Sequence, residues 1–171
     1  MKWVTREHVH VDRMACPWLI RRFIDASAEF MFVPAGSVER VAKEEGATPF
    51  DVPGCEFGHH EEFCSFDAIM YRHKLQDEAL FDMAAIVRAA DTEDFEAAPE
   101  AIGLRSITWG ASMMAKDDHE AVDKGMYIFD ALYAHCKLRH LRERHAIELE
   151  PMDRATQTAF LKERLHRRGM D

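Results

Sequence analysis

The sequence contains no apolar run approaching the roughly 20 residues that cross a bilayer as a helix. Its opening residues, MKWVTREHVHVDR, lack the apolar core of a signal peptide. Membrane insertion and secretion are therefore not expected, and the chain is read as cytoplasmic. Cysteine is also scarce. Cys16, Cys55, Cys64 and Cys136 form no CxxC pair, which argues against a zinc-ribbon or finger site. In a cytoplasmic chain they are expected to be thiols rather than disulfides. Positive charge is short too: 22 Lys and Arg against 31 Asp and Glu leave −9 with neutral histidines, which argues against a general nucleic-acid binder. Repeats and low-complexity linkers are missing. What is present is 171 residues, 47% hydrophobic and 31% charged, enough for the core of one domain and too apolar for disorder.

The first half reads as mixed. KWVTR and EFMFVP (29–34) are aromatic and β-branched, as strands are, and TPFDVPG (48–54) is a third short extended segment. PWLIRRFID (17–25) reads as a short helix with Pro17 in its first turn, and SVERVAKEEG (37–46) as a second, closed by Gly46. The second half is helical. Apolar residues recur at three- and four-residue spacing in 64–75 and 77–91, and further helices are expected over 99–115, 117–145 and 151–168. The predicted fold is α+β: a small N-terminal sheet with helices packed on one face and a mostly helical C-terminal half. Residues 1–171 form one domain, with its core in about 3–145 and a C-terminal helix at 151–168.

Charge is uneven along this plan. Residues 39–100 carry 16 acids and 5 bases, whereas 137–168 carry 9 bases and 5 acids. Complementarity within the chain or between two copies accounts for this, and a basic helix that contacts an anionic partner is the sharper reading.

On a helical wheel, Leu19, Ile20, Phe23 and Ile24 share one side, and Trp18, Arg21, Arg22 and Asp25 the other. The second face holds a flat aromatic and two guanidinium forks. Such forks match the planar, bidentate demands of tetrahedral oxyanions, and Arg13 is near enough to join them. Structural salt bridges on an amphipathic helix are the plainer reading, with Asp25 placed to pair with either arginine.

Two further stretches carry chemistry. If HVHVD is extended, His8, His10 and Asp12 share one side, a metal half-site or an ordinary solvated sheet face. GCEFGHHEEFCSF (54–66) sets His59, His60, Glu61, Glu62 and Cys64 before a helix. That arrangement suits a borderline metal or a reactive thiol lowered by the helix dipole; the plain alternative is a surface loop with Cys64 buried and Ser65 as N-cap. Asp91 ends a helix, where the dipole disfavours a carboxylate, so a cation, an arginine or a capping role is expected beside it. Asp118 and His119 open the next long helix and need no such reason.

HVDRMACPWLIRRFID, PFDVPGCEFGHHEEFCSF, the helix ending VRAAD, and DDHEAVDKGMYIFDALY together resemble the chromate-resistance (ChrB-type) domain family, in that order, across residues 3 to about 140. In larger members the resemblance points to the C-terminal half of chromate-responsive transcriptional regulators, so this chain is expected to be a stand-alone copy in which DNA binding is not expected. The family positions it carries are His10, Asp12, Arg13, Trp18, Arg21, Arg22, His59, Cys64 and Asp91, with Asp118 and Asp130 weaker matches. Two departures stand out: Glu61 stands where the family loop usually has glycine, and the His59-His60 doublet leaves open which histidine plays the family's part, the spacing to Cys64 favouring His59; Glu61 and His60 add donors to the loop.

The resemblance and the residue chemistry together give the expected function, a domain that binds or senses a chromate-like oxyanion in one arginine-rich pocket. Arg13, Arg21, Arg22 and Trp18 would hold the anion. His10, His59 and Asp91 are candidate metal ligands, with Asp12, Cys64 and Asp118 behind them, for a divalent Zn, Fe or Mn ion. Cys64 is the candidate reactive group. The alternatives are a stress-defence metalloenzyme and a protein-interaction domain without catalysis. A small oxyanion is the expected partner, and a homo-oligomer is allowed.

Overall fold

The computed structural model describes residues 1–60 and 63–167. Glu61, Glu62 and the last position of the expected C-terminal helix, residue 168, lie outside the described residues. Strand β1 (Lys2–Arg6) pairs in parallel with β2 (Glu29–Val33) on one side and β3 (Thr48–Pro49) on the other. Trp3 sits opposite both Phe30 and Thr48.

Parallel neighbours require crossovers, and helices α1 (Asp12–Phe23) and α2 (Val38–Glu45) provide them. Alternation along the strands decides what each helix covers. Trp3 and Phe30 enter the main core with Leu19 and Ile20 of α1. Val4, Met31 and Val33 turn the other way and pack on Val38, Val41 and Ala42 of α2. The α+β class is as expected, but helices cover both sheet faces rather than one. Gly46 closes α2 in the left-handed region at φ 62°.

The strand order 2-1-3 reverses direction between β1 and β3. In open parallel sheets, ligands bind outside the carboxyl ends of the strands at such a reversal. Residues 7–13 and 50–60 meet there.

The remaining described elements are helices: α3 (Ser65–Arg72), α4 (Glu78–Thr92), α5 (Ala101–Met114), α6 (Asp118–Arg144), α7 (Ala146–Leu149) and α8 (Arg154–Arg167). Helix α6 spans 27 residues, about 40 Å, and packs on α1, α4, α5 and α8. Its Gly125 permits a close pass over α1, since a Cβ there would lie 2.9 Å from the Met14 methyl. Trp18 is fully buried at this junction and stacks on Phe66. Among the described residues no helix is long and apolar enough to cross a membrane.

Two local expectations change. Residues 7–11 are not a strand: His8 and Val11 have φ of 65° and 37°, and Val9 and Val11 are both buried. The alternating face of His8, His10 and Asp12 therefore does not form. Helix α1 then starts at Asp12, which places Pro17 in its interior instead of its first turn.

Candidate metal centre

Asp12 opens α1 and is 1% exposed. A carboxylate so buried must be supplied with donors, and the start of α3 supplies them. The N–H groups of Ser65 and Phe66 donate to its two oxygens at 2.9 and 3.1 Å, where the helix dipole favours a negative charge. The Cys16 thiol donates at 3.3 Å.

Asp51 follows β3 and is also buried. Arg6, at the end of β1, donates to its carboxylate at 2.9 Å and to its carbonyl at 3.0 Å, and the Arg13 Nε lies 3.5 Å away. Burial pushes the Asp51 carboxyl up, but His59, Arg6 and Arg13 outweigh it and leave it below the usual carboxylate range.

His59 ties these elements together. Its Nε2 lies 3.5 Å from Asp12 Oδ2, 3.3 Å from Asp51 Oδ1 and 3.3 Å from Asp91 Oδ2. Hydrogen bonds to Asp12 and Asp51 raise its pKa to about 10. Asp91, in the last turn of α4, is raised to about 6 by burial and then by the charges of Asp12 and Asp51. Two arginines thus compensate Asp51, and a proton on His59 balances Asp12 and Asp91. Ligand atoms of Asp12, His59 and Asp91 all lie within 4.8 Å of one another. Two donors about 2.1 Å from one ion, at tetrahedral angles, stand about 3.4 Å apart. The His59 separations of 3.5 and 3.3 Å are close to that spacing, so Asp12, His59 and Asp91 are the residues that could hold a small divalent cation in place of the imidazole proton.

The expected site residues divide. The structure brings Asp12, His59 and Asp91 together and places Arg13 beside them through Asp51. His10 is elsewhere: its ring packs edge-on against Trp109 at 5.3 Å, and burial, then Arg13 and Arg105, lower its pKa. Asp118 has both oxygens engaged by the backbone N–H groups of His8 and Val9, which pins the β1–α1 turn. Cys64, not Ser65, is the N-cap of α3, and its thiol donates to Asp67. Burial and the charges of Asp12 and Asp67 push that thiol well above its ordinary pKa, so the expected lowering by the helix dipole does not prevail.

The arginine face points to α6. Arg22 grips Asp130 with two bonds of 2.9 and 2.6 Å, and the buried Trp18 indole donates to the same carboxylate at 2.8 Å. Arg21 pairs with Asp123 at 3.0 Å and lies over the Phe30 ring. Asp25 bonds Ser27 instead of either arginine. Arg21 and Arg22 lie nine and ten positions from Asp12 along α1, about 14 Å of helix. The structure does not bring them into one pocket with His59, because the acids of α6 neutralise them first. Asp51 and Arg6 belong to the cluster without having been singled out.

The family description of the ChrB C-terminal domain matches residues 3–136. Protein ChrB of Cupriavidus metallidurans is 34% identical over 136 residues, covering 78% of this chain and 40% of that protein. The chain thus spans less than half the length of this curated relative. No solved structure matches.

Proposed function

The chain belongs to the ChrB C-terminal domain family, which is linked to chromate resistance, and from that premise we propose that it holds a divalent metal between Asp12, His59 and Asp91 to bind or sense a chromate-like oxyanion. The observation that carries this reading is the convergence of these three side chains, with donor atoms within 4.8 Å, at the carboxyl ends of β1 and β3. The donors are one imidazole nitrogen and two carboxylate oxygens, a set suited to Zn, Fe or Mn.

Electrostatics favours a cation over bare arginine recognition. The three carboxylates of the cluster use up the charge of Arg6, Arg13 and the His59 proton, which leaves no spare positive charge for a dianion, and the Arg21 and Arg22 forks are already engaged by Asp123 and Asp130. Of the expected arginines, Arg13 alone borders the cluster, 3.5 Å from Asp51. A divalent ion in place of the His59 proton would leave the site net positive and supply Lewis acidity toward an oxyanion. Asp12 and Asp91 would fix the ion in place, and α3 would hold Asp12 in position through Ser65 and Phe66.

A stress-defence metalloenzyme is the second reading. Three protein ligands leave coordination positions open, as catalytic metal sites do. Thermal unfolding separates the readings. Saturating metal is expected to raise the Tm of chelator-treated protein by about 5–10 °C. Chromate or sulfate should then raise it further only in the metal-loaded protein. An anion effect of equal size in chelated protein would overturn metal-assisted binding. A metal effect without any anion effect would favour the enzyme.

A further inference from the structure

Helix α5 turns one side to the core, with Ala101, Leu104 and Thr108 buried. Its other side is exposed and yet apolar. Ile102, Trp109 and Met113 form one ridge along it and Ile107 and Met114 a second, all five between 54% and 79% exposed. Arg105 is the single charge in the 14 residues of the helix, and it is drawn aside to the Ala90 carbonyl and Glu93. A surface helix ordinarily carries charged residues opposite its buried stripe.

Small residues run between the two ridges. Gly103, Ser106 and Gly110 fall there at three- and four-residue spacing. Glycine weakens a helix interior, and the fold of the single chain requires neither of these two. Both lack a positive φ, and a Cβ at either would meet nothing within 4 Å. Gly125 shows the contrast, since the Met14 methyl occupies the space a Cβ would need there. Gly103 and Gly110 thus leave an open groove about two turns long, which the ridge of another helix can enter.

Area and charge select the occupant. At roughly 200 Å² for a large side chain, the five ridge residues expose about 600 Å² together. That is the top of the range for the largest apolar patch on a monomer, about 300–600 Å². Two such faces bury about 1,200 Å², where specific interfaces between proteins begin. The chain carries −9, so two copies repel at long range and can meet closely only where charge is sparse. Helix α5 offers such a place. It also holds ridge and groove on one face, as a two-fold contact of a surface with itself requires. We propose that two copies of this chain pair through α5, antiparallel across Gly103, Ser106 and Gly110. An antiparallel crossing places opposite ends of the two helix dipoles side by side. The contact does not depend on an ion at His59.

Sedimentation velocity on the full chain, chelated and metal-loaded, over about a thousandfold range of concentration tests this. A monomer–dimer equilibrium in the micromolar range is expected in both forms, the weak end for an interface of this size. Trp3 and Trp18 are fully buried, so iodide quenching reads Trp109 and should fall as the dimer forms. Ile107→Glu, at an exposed position, should weaken pairing about a hundredfold or more. Gly110→Ala should raise the Tm of the monomer, as alanine does within a helix, yet weaken pairing about tenfold by filling the groove. Ile147→Glu, exposed on α7, should leave pairing unchanged. A monomer at every concentration, or a dimer in which Trp109 stays open to iodide, would overturn the proposal. So would pairing that persists in Ile107→Glu, that is unchanged in Gly110→Ala, or that is lost in Ile147→Glu. A protein that stays monomeric and whose Trp109 emission shifts to the blue on phosphatidylcholine vesicles would overturn it as well, and would give the face to a lipid surface.

Discussion

Asp91 Oδ2 lies 3.3 Å from His59 Nε2, which joins the last turn of α4 to the loop ahead of α3. Asp91 occupies a helix end that disfavours carboxylates, and only 19% of its side chain is exposed. Its place is explained by a positive charge at that point, a proton on His59 or a cation that replaces it.

Protons and metal should therefore compete. With the His59 pKa near 10 and that of Asp91 near 6, metal entry at pH 7.5 must expel the His59 proton. Calorimetry in buffers of different ionisation enthalpy should show about one proton released per ion bound. Affinity should fall as pH is lowered. A binding enthalpy independent of buffer would show that His59 is not a ligand.

Chelated protein should also show the Asp91 titration in its stability. The folded-state pKa of about 6 lies above the ordinary 3.8. The stability tied to its proton is thus complete below about pH 4 and is lost as pH rises through 6. In Asp91→Asn that decline should flatten. Denaturant midpoints across pH 4 to 7 for both proteins provide the check, and parallel curves would contradict the assignment.

The arginine face is expected to be structural. Asp130→Ala would strand the buried Trp18 indole N–H and free Arg22, at a cost of about 1–3 kcal/mol. Metal content should not change. An Asp130→Ala protein of unchanged stability, or one that loses metal while still folded, would count against this reading.

The thiols should separate by burial. Cys16, Cys64 and Cys136 are buried and Cys55 is partly exposed. An aromatic disulfide reagent should modify Cys55 first in the native protein and reach the others only on unfolding. Rapid modification of Cys64 in the folded state would restore it as a reactive group.

Local patterns in the sequence carried a good part of this structure. Strands at KWVTR and EFMFV, the periodic helices α4 and α6, and the closure of α2 at Gly46 all follow from short-range spacing. The helical wheel put Trp18, Arg21 and Arg22 on one side of α1, but Trp18 is fully buried, and Ile24 and Asp25 lie beyond the end of the helix. It could not show that Asp123 and Asp130, more than a hundred residues away, would meet Arg21 and Arg22. The α1 start was hidden for a similar reason, because burial of Val9 and Val11 and the grip of Asp118 bend a segment whose alternation reads as strand. Asp91 was legible as an electrostatic misfit. Asp51 was not, since its role appears only when β3 is laid beside β1.

Metal content is the most direct test of the central claim. Untagged wild-type protein, His59→Ala and Asp91→Asn should be compared by elemental mass spectrometry after equilibration with Zn, Mn or Fe(II) and removal of free ion, with circular dichroism confirming the fold of each. The account predicts near one equivalent of one of these ions in wild type and loss in both variants. Retention of the ion by both folded variants, or no bound ion in wild type, would contradict it.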